Sequence, residues 1–319
     1  MAVSQKDLIA ITGGEGFVGS FLREKLREAG YNNQFIVRVE DFDLTRELDV
    51  ERLYRQVKPD VVIHLAAAVG GIGANRENPG RFFYVNLAMG LHLIEHARRV
   101  GLKRFVQVGT VCAYPKCAPV PFKEKDLWNG YPEETNAPYG IAKKALLVMC
   151  QSYRRQYGMD AVYVLPVNMY GPRDNFNLGA SHVIPALVRK CVEARDRGDK
   201  QILAWGTGSA SREFLYVEDC ADALVHVMSR YDSPEPLNIG TGREITIKNL
   251  TELIARLVGF EGQIAWDPSK PDGQPRRCLD VSRIAAVLGW QATTSLEVGL
   301  QKTIDWFQNH RDSFTDRVV

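Results

Sequence analysis

Short apolar runs alternate with amphipathic stretches along the first half of the chain. The run DLIAIT predicts a buried strand near residues 8–13, and similar runs near 34–39 and 60–65 predict two more. Between them, apolar residues recur with helical spacing near 17–30 and 49–57. Nearly all-apolar strands that alternate with helices are typical of a parallel sheet covered by helices on both faces.

The alternation continues to about residue 168. A helix is predicted after Pro79, then a strand over RFVQVG, a helix that carries Tyr139, and a strand over AVYVLPV. Further along, the pattern breaks into shorter pieces rich in Gly and Pro, such as YGPRDNFN and PSKPDGQPRR. The sequence therefore predicts an α/β fold in which a Rossmann-type doubly wound parallel sheet occupies residues 1–167. A smaller C-terminal α/β lobe occupies 168–319, and some of its segments return to the first domain.

A glycine-rich turn, GGEGFVG, follows the first predicted strand and precedes a helix. Its spacing is GxxGxxG rather than GxGxxG, and as an isolated motif it is weak. At the start of a βαβ unit the motif is stronger evidence for a nucleotide site, because glycines let the backbone approach a pyrophosphate at a helix N-terminus. The turn therefore predicts a dinucleotide site, with an ordinary glycine-rich turn as the alternative.

Tyr139 and Lys143 are four residues apart in APYGIAKKAL, which places phenol and ammonium on one face of a helix. Such a pair can move a proton at a carbonyl group, because an adjacent cation favours the ionised phenol. The spacing alone is weak evidence, since any amphipathic helix could contain it. The strand near 104–109 delivers Thr110 and Cys112 to the carboxyl edge of the sheet, where ligands of such folds bind.

Composition limits the possible partners. The chain has 319 residues and a formal net charge of +2, with no basic stripe for nucleic acid, no apolar run long enough to span a bilayer and no signal peptide pattern. Its six cysteines form no CxxC pair, which favours free thiols in the cytoplasm and no metal site. His92 and His96 have i, i+4 spacing, but no carboxylate or thiol accompanies them.

Several longer segments show a resemblance to a known family. These are GGEGFVG, AAAVGGIGAN, GTVCAYP, APYGIAKK, PVNMYGPRDNF, SHVIPALVRK, WGTGSASREFLYVED and KPDGQPRR. Through them the chain resembles the extended short-chain dehydrogenase/reductase superfamily and, more narrowly, the GDP-L-fucose synthases, over nearly its whole length. The combination of Cys112 in a CxYP segment with His182 in SHVIPAL separates this family from most relatives. Related dehydratases follow the catalytic Thr or Ser with Asp-Glu, whereas Val111 and Cys112 stand here.

The resemblance implies NADPH-dependent 3,5-epimerisation and 4-keto reduction of a GDP-4-keto-6-deoxyhexose. Its catalytic residues would be Thr110, Cys112, Tyr139, Lys143 and His182, with Cys112 as base and His182 as acid. A structural reading of two of them remains open: a cysteine at a strand end is often a small buried apolar residue, and His182 could cap a helix. The expected cofactor-binding residues are Gly13, Gly16, Phe17, Val18, Gly19, Arg38, Asp43, Leu44, Ala66 and Ala67, together with Tyr139, Lys143 and His182.

The sequence gives conflicting signals about the cofactor. Arg38 favours NADP, the cofactor that the family prefers. Glu40, by contrast, follows the second strand where an acidic residue could accept hydrogen bonds from the ribose of NAD. The family usually has a basic residue in the glycine turn where this chain has Glu15. NADP is therefore expected, with NAD possible.

For a nucleotide-linked sugar, the resemblance and the need for phosphate-binding cations point to six residues. They are Asn168, Arg189, Lys190, Trp205, Arg212 and Arg277. The chain departs from the family pattern at three positions: Lys190 replaces Arg, Arg173 replaces His and Thr110 replaces Ser. Lysine lacks the bidentate fork of arginine, so the grip on the substrate is expected to differ.

Two helices suggest a homodimer, because in this superfamily the helix near 80–99 and the Tyr139 helix pair with their mates as a four-helix bundle. The apolar residues expected to support it are Phe82, Phe83, Leu87, Met89, Leu91, Leu146, Leu147, Met149 and Tyr153. Two other functions remain open. One is a single-activity ketoreductase or epimerase on another nucleotide-linked 4-keto sugar, such as a heptose or deoxysugar. The other is a non-enzymatic sensor of NAD(P)H.

Overall fold

The computed structural model describes residues 2–270 and 272–311, so Pro271 of the KPDGQPRR segment and the last eight positions of the predicted second domain lie outside the description. Its strands, numbered in chain order, are β1 (Ile9–Thr12), β2 (Gln34–Val37), β3 (Val61–His64), β4 (Arg104–Val108), β5 (Ala161–Pro166), β6 (Asn168–Tyr170), β7 (Gln201–Trp205), β8 (Ser211–Tyr216), β9 (Leu237–Ile239), β10 (Glu244–Thr246), β11 (Gln263–Asp267) and β12 (Arg276–Arg277).

The α-helices are α1 (Phe17–Glu28), α2 (Glu47–Val57), α3 (Ile72–Glu77), α4 (Pro79–Val100), α5 (Ala137–Tyr157), α6 (Val183–Arg197), α7 (Val217–Arg230), α8 (Ile247–Val258), α9 (Ser282–Leu288) and α10 (Leu296–His310). Their ends follow local chemistry. Helix α4 has proline at its start and ends at Gly101, which adopts the left-handed conformation that glycine tolerates best. Helix α8 is capped by the Thr246 hydroxyl, which accepts a hydrogen bond from the Asn249 amide.

Six strands form one parallel sheet in the order β2-β1-β3-β4-β5-β9. Strands β1, β3, β4 and β5 are buried at every position, which explains their nearly uninterrupted apolar sequences. Helix α1 packs with α7, and α4 packs with α2 and α5. The predicted doubly wound parallel sheet is thus confirmed. Because the chain order reverses between β1 and β3, a ligand crevice is expected at their carboxyl ends.

The C-terminal part of the chain contains a second buried apolar cluster, to which α6, α8 and α10 contribute. Strand β8 pairs with β6, β10 and β12, and β7 pairs with β11. Helices α6 and α7 have 15 and 14 residues, so this region is more regular than the short pieces that its Gly and Pro content predicts. Strand β9 and helix α7 pack within the first cluster instead. The division at residue 168 stays a prediction.

Helices α4 and α5 pack against each other, and each has apolar residues on more than one face, as the sequence suggested. Four of the apolar residues named above are buried in the chain's own core: Phe82, Met89, Leu146 and Leu147. The exposed apolar side chains of the two helices are Phe83, Tyr84, Leu91, Val100, Val148 and Tyr157. The pairing of this exposed face with a second chain stays a prediction. Within the described ranges, no helix is both long and apolar enough to cross a bilayer.

Candidate active site

A cavity of about 870 Å³ lies at the carboxyl edge of the parallel sheet. Its wall includes the glycine turn after β1, the segments after β3 and β4, and the first turns of α5 and α6. Residues of β7, β8 and the segment 272–277 close it from the C-terminal lobe. All five predicted catalytic residues line this cavity: Thr110, Cys112, Tyr139, Lys143 and His182.

The glycine turn fits a dinucleotide. Gly13 has a φ of 67°, and a Cβ there would lie 2.9 Å from the Ala66 amide nitrogen, so only glycine allows this approach of β1 to the β3 loop. A Cβ on Gly19 would lie 2.2 Å from the Gly13 carbonyl oxygen. The first turn of α1 contains no acidic residue, which leaves its free N–H groups suited to an anion.

Most predicted cofactor residues lie together along this wall: Gly13, Gly16, Phe17, Val18, Gly19, Ala66 and Ala67. The other three, Arg38, Asp43 and Leu44, do not line the cavity as described. Asp43 accepts hydrogen bonds from the backbone and hydroxyl of Thr45, and Leu44 is buried in the core. Arg38 follows β2 and forms an ion pair with Glu15, with 2.6 Å between its Nη2 and the carboxylate Oε1.

Thr110, Tyr139 and Lys143 are held together by the end of β4 and the first turns of α5. The Tyr139 phenol hydrogen bonds with the Thr110 side chain, and the Lys143 ammonium donates to the Val108 carbonyl oxygen at 3.1 Å. Burial lowers the pKa of Lys143 to about 8. Burial also raises the pKa of Tyr139, and the Thr110 hydrogen bond opposes this only in part. The sequence-based expectation of a lowered phenol pKa is therefore wrong for the protein without ligand.

Cys112 lies in a 3₁₀ turn, Val111–Ala113, directly after β4. The Thr110 hydroxyl accepts a hydrogen bond from the Cys112 backbone amide and fixes this turn. The Sγ atom lies 3.5 Å from Nη1 of Arg277, a buried residue of β12. Arg277 pairs in register with Arg212 of β8, so two guanidinium groups approach the thiol from the C-terminal lobe.

His182 is the residue before α6, as its sequence position suggested, but its side chain makes no capping hydrogen bond. The imidazole is exposed to the cavity. The surrounding protein lowers the pKa of His182 through desolvation. The adjacent Ser181 also lines the cavity, and its hydroxyl is buried without a protein partner.

Five of the six predicted substrate residues line the cavity: Asn168, Lys190, Trp205, Arg212 and Arg277. Trp205 is half exposed, and the ammonium groups of Lys190 and Lys270 lie 5.8 and 5.3 Å from its ring centroid. Arg212 donates to the carbonyl oxygens of Ser211 and Asp272. Burial, followed by the neighbouring Arg277, lowers the pKa of Arg212 to about 10.

Arg189 is the exception among the proposed phosphate ligands. It belongs to α6 and its side chain is buried, and it donates to the Glu193 carboxylate at 2.7 Å and to the Phe176 carbonyl oxygen at 3.2 Å. It supports the second core and does not line the cavity as described. The spacing of Arg189 and Lys190 could not distinguish them, because neighbouring helical residues point about 100° apart and only one faces the ligand.

The polar residues of the cavity wall that sequence reasoning missed include Asn136, Asp174 and Gln274. Asp174 is buried, its Oδ2 has no protein partner, and burial raises its pKa to about 7. Its position in YGPRDNFN, a segment already identified as a loop, was the only available signal. The neighbouring Arg173 turns toward α1, where it lies 2.8 Å from the Glu24 carboxylate and over the Phe21 ring.

Comparisons with known proteins agree with this geometry. Residues 9–240 match the model of the NAD dependent epimerase/dehydratase family. GDP-L-fucose synthase 1 of Arabidopsis thaliana is 46% identical over 299 residues, covering 94% of this chain and 92% of the relative.

Two solved structures extend the comparison. A GDP-6-OMe-4-keto-L-xylo-heptose reductase from C. jejuni superimposes with a TM-score of 0.91 at 28% identity, covering 97% and 100% of the two chains. A GDP-L-fucose synthetase from Naegleria fowleri bound to NADP gives 0.89 at 26% identity, covering 98% and 97%.

Proposed function

The chain belongs to the GDP-L-fucose synthases, within the NAD dependent epimerase/dehydratase family, and from this we propose the reaction that its cavity performs. The enzyme is an NADPH-dependent epimerase and reductase that converts a GDP-4-keto-6-deoxyhexose by 3,5-epimerisation followed by 4-keto reduction. One observation carries the proposal: the candidate base Cys112 and acid His182 line the same cavity as Thr110, Tyr139 and Lys143.

The glycine turn, whose close backbone packing requires Gly13 and Gly19, and the first turn of α1, which supplies N–H donors, would hold the pyrophosphate of NADPH. When bound, NADPH supplies the hydride for C4 of the sugar. The protein provides orientation and protons. Lys143 lies on the cavity wall, where its ammonium is available to the nicotinamide ribose.

Epimerisation depends on the ketone. A 4-keto group acidifies the protons at C3 and C5, because their removal gives an enolate that hydrogen bond donors at the ketone oxygen stabilise. Cys112 removes a proton at each carbon, and His182 returns one to the opposite face. Thr110 and Tyr139 hold the oxygen. Desolvation lowers the pKa of His182 and so favours its neutral form, which means that its proton has to be acquired during the cycle.

Reduction uses the same oxygen. Tyr139 gives its proton to the oxygen at C4 as the new hydroxyl forms. Because burial raises the pKa of Tyr139, the phenol stays protonated in the resting enzyme and is ready to act as an acid. The Thr110 hydrogen bond keeps the phenol oriented between turns of the cycle.

The GDP group occupies the C-terminal side of the cavity. Arg212 and Arg277 bind the phosphates, and their parallel pairing across β8 and β12 gives two guanidinium groups for one diphosphate. Trp205 stacks on the base. Lys190 contributes a point charge next to it, while Asn168 offers a side-chain amide to a hydroxyl or phosphate.

The deciding experiment incubates the protein with GDP-4-keto-6-deoxymannose and NADPH in D₂O and follows absorbance at 340 nm, product mass and NMR. We expect NADPH oxidation with deuterium at both C3 and C5 of the product. Oxidation without deuterium would leave a plain ketoreductase. If neither occurs, the substrate assignment fails, and other 4-keto nucleotide sugars are tested next.

A second function is favoured by the structural similarity to the C. jejuni heptose reductase. In this alternative the chain is a single-activity 4-ketoreductase on another GDP-linked sugar, and Cys112 has no role as a base. The substitution Cys112→Ser distinguishes the bifunctional enzyme from the single-activity ketoreductase. In the bifunctional enzyme it abolishes deuterium incorporation and leaves reduction of a pre-epimerised ketone intact. In a plain ketoreductase the deuterium pattern does not change.

We also propose that the enzyme is a cytoplasmic homodimer. All six cysteines are free thiols, which suits a reducing compartment. Exposed apolar side chains on α4 and α5, including Phe83, Leu91 and Val148, support pairing of these helices across a twofold axis.

A further inference from the structure

The ion pair between Glu15 and Arg38 lies beside the dinucleotide site, at a place that the catalytic cycle does not use. Glu15 belongs to the glycine turn and directly precedes Gly16, the N-cap residue of α1. Arg38 directly follows β2, and β1 and β2 are neighbours in register, with Thr12 opposite Val37. The Arg38 Nη2 donates to the Glu15 Oε1 at 2.6 Å, and both side chains are about half exposed, at 57% and 52%.

This corner of a doubly wound sheet receives the adenosine ribose of a bound dinucleotide. An acidic side chain there accepts hydrogen bonds from the 2′-hydroxyl of NAD, whereas an arginine accommodates the 2′-phosphate of NADP. In this chain both groups are present, and they neutralise each other. A 2′-phosphate that reaches Arg38 has to displace Glu15 or tolerate its negative charge.

Further negative charges in this corner increase the electrostatic cost of binding a 2′-phosphate there. Glu40 and Asp41 follow Arg38 and are exposed. The nearby Arg52 is engaged by the Asp49 carboxylate at 3.1 Å. The 2′-phosphate, which approaches a charge of −2 at neutral pH, thus enters a corner whose main cation is already paired with an anion.

We propose that Glu15 determines cofactor specificity, by competing with the 2′-phosphate for Arg38, so that the enzyme accepts NADH as well as NADPH. In NADPH the phosphate takes Arg38 from Glu15. In NADH the Glu15–Arg38 pair persists, and the Glu15 carboxylate remains available to the 2′-hydroxyl. The inference rests on the proposed dinucleotide site but not on the identity of the sugar.

The test measures binding without turnover. Adenosine 2′,5′-bisphosphate and adenosine 5′-monophosphate differ only in the 2′-phosphate, and calorimetry gives their Kd values together with those of NADPH and NADH. We expect the wild-type Kd values of NADPH and NADH to lie within ~10-fold of each other. Glu15→Gln should tighten NADPH and the bisphosphate ~10-fold, since one unit charge beside a phosphate is worth about this much near a protein surface, and should leave NADH and the monophosphate within ~2-fold.

Two further variants complete the design. Glu28→Gln removes an equally exposed acid at the far end of α1 and should change none of the four Kd values. Combining Arg38→Gln with Glu15→Gln should cancel the gain for NADPH, because the gain comes from the released guanidinium. The proposal is overturned if Glu15→Gln tightens the mono- and bisphosphate equally, if it weakens NADPH, or if wild-type protein prefers NADPH by ~100-fold or more. These Kd measurements do not require turnover of a sugar, so they can be interpreted even if the proposed sugar reaction is not observed.

Discussion

At the scale of single residues, Arg277 contacts Cys112, and we expect it to link the proposed phosphate site to this proposed base. Its guanidinium lies 3.5 Å from the Cys112 sulfur, and its Nε donates to the side-chain amide oxygen Oε1 of Gln274 at 3.3 Å. A phosphate contact would affect epimerisation and reduction alike, whereas a contact with the thiol affects only proton removal. Comparing the rates of epimerisation and reduction therefore distinguishes a phosphate-binding role of Arg277 from a role at the thiol.

We predict that Arg277→Lys slows deuterium incorporation at C3 and C5 by ~10-fold more than it slows reduction of a pre-epimerised ketone. The physical reason is that lysine keeps the charge near the phosphates but loses the planar donor directed at the sulfur. The measurement compares both rates at saturating substrate, with Lys270→Arg, in the segment before β12, as a control. Equal losses in the two rates would assign Arg277 to substrate binding alone.

We expect Lys143 to set an alkaline limit for the reductase half-reaction. Its pKa is about 8, far below the usual 10.5, because burial disfavours the charged form. As the pH rises through 8 the ammonium loses its proton, while the raised pKa of Tyr139 keeps the phenol protonated over the same range. Charge at Lys143 is thus present below this pH and absent above it.

We expect kcat/KM for reduction of a pre-epimerised ketone to fall above pH 8 with the slope of one proton, since this quantity reports the free enzyme. In Lys143→Arg the guanidinium stays protonated, so the alkaline limb should disappear even where the rate is lower. A wild-type profile that stays flat to about pH 10 would contradict a role for the Lys143 charge.

At the scale of elements, α5 and the Cys112 turn touch through backbone atoms. A Cβ on Gly140 would lie 2.4 Å from the Cys112 carbonyl oxygen and 3.0 Å from its carbonyl carbon. Only a glycine at position 140 therefore allows the helix that carries Tyr139 to lie this close to the turn that carries Cys112. We expect this contact to couple the proposed acid-base groups of the two half-reactions.

We predict that Gly140→Ala separates these elements, lowers the free energy of unfolding by about 1–3 kcal/mol and reduces both epimerisation and reduction. Thermal unfolding and the two rates provide the measurements. Gly80→Ala, on α4, is the matched control, because a Cβ there meets no atom within 4 Å. Full activity of Gly140→Ala would show that the spacing tolerates an added methyl group.

The elements also show what the sequence could and could not predict. The parallel sheet followed from uninterrupted apolar strands, and the common cavity of Cys112, Tyr139 and His182 agrees with segments recognised by resemblance. The phenol pKa could not be predicted, because spacing shows that Lys143 is near Tyr139 but not that burial of both outweighs their attraction. Asp174 escaped notice because only the folded chain buries its carboxyl group in the cavity wall.

At the scale of the whole molecule, the assembly should stabilise the site without completing it. Each catalytic candidate, from Thr110 to His182, lines a cavity built by one chain. Yet α5 carries Tyr139 and Lys143 on one side and exposed Val148 on another, so a partner that covers α4 and α5 would restrain the helix that carries the reductase pair. Dissociation is then expected to lower stability more than cofactor affinity.

We predict that wild-type protein at micromolar concentration has the mass of two chains by light scattering, and that Leu91→Asp with Val148→Asp has the mass of one. An aspartate on each helix would place unpaired charges in the apolar interface, which costs several kcal/mol. The double variant should bind NADPH within ~3-fold of wild type but unfold at a lower temperature. Val287→Asp, an equally exposed apolar position on α9, should leave the mass unchanged. A wild-type monomer would contradict the assembly, and loss of NADPH binding in the monomer would mean that the partner contributes to the site itself.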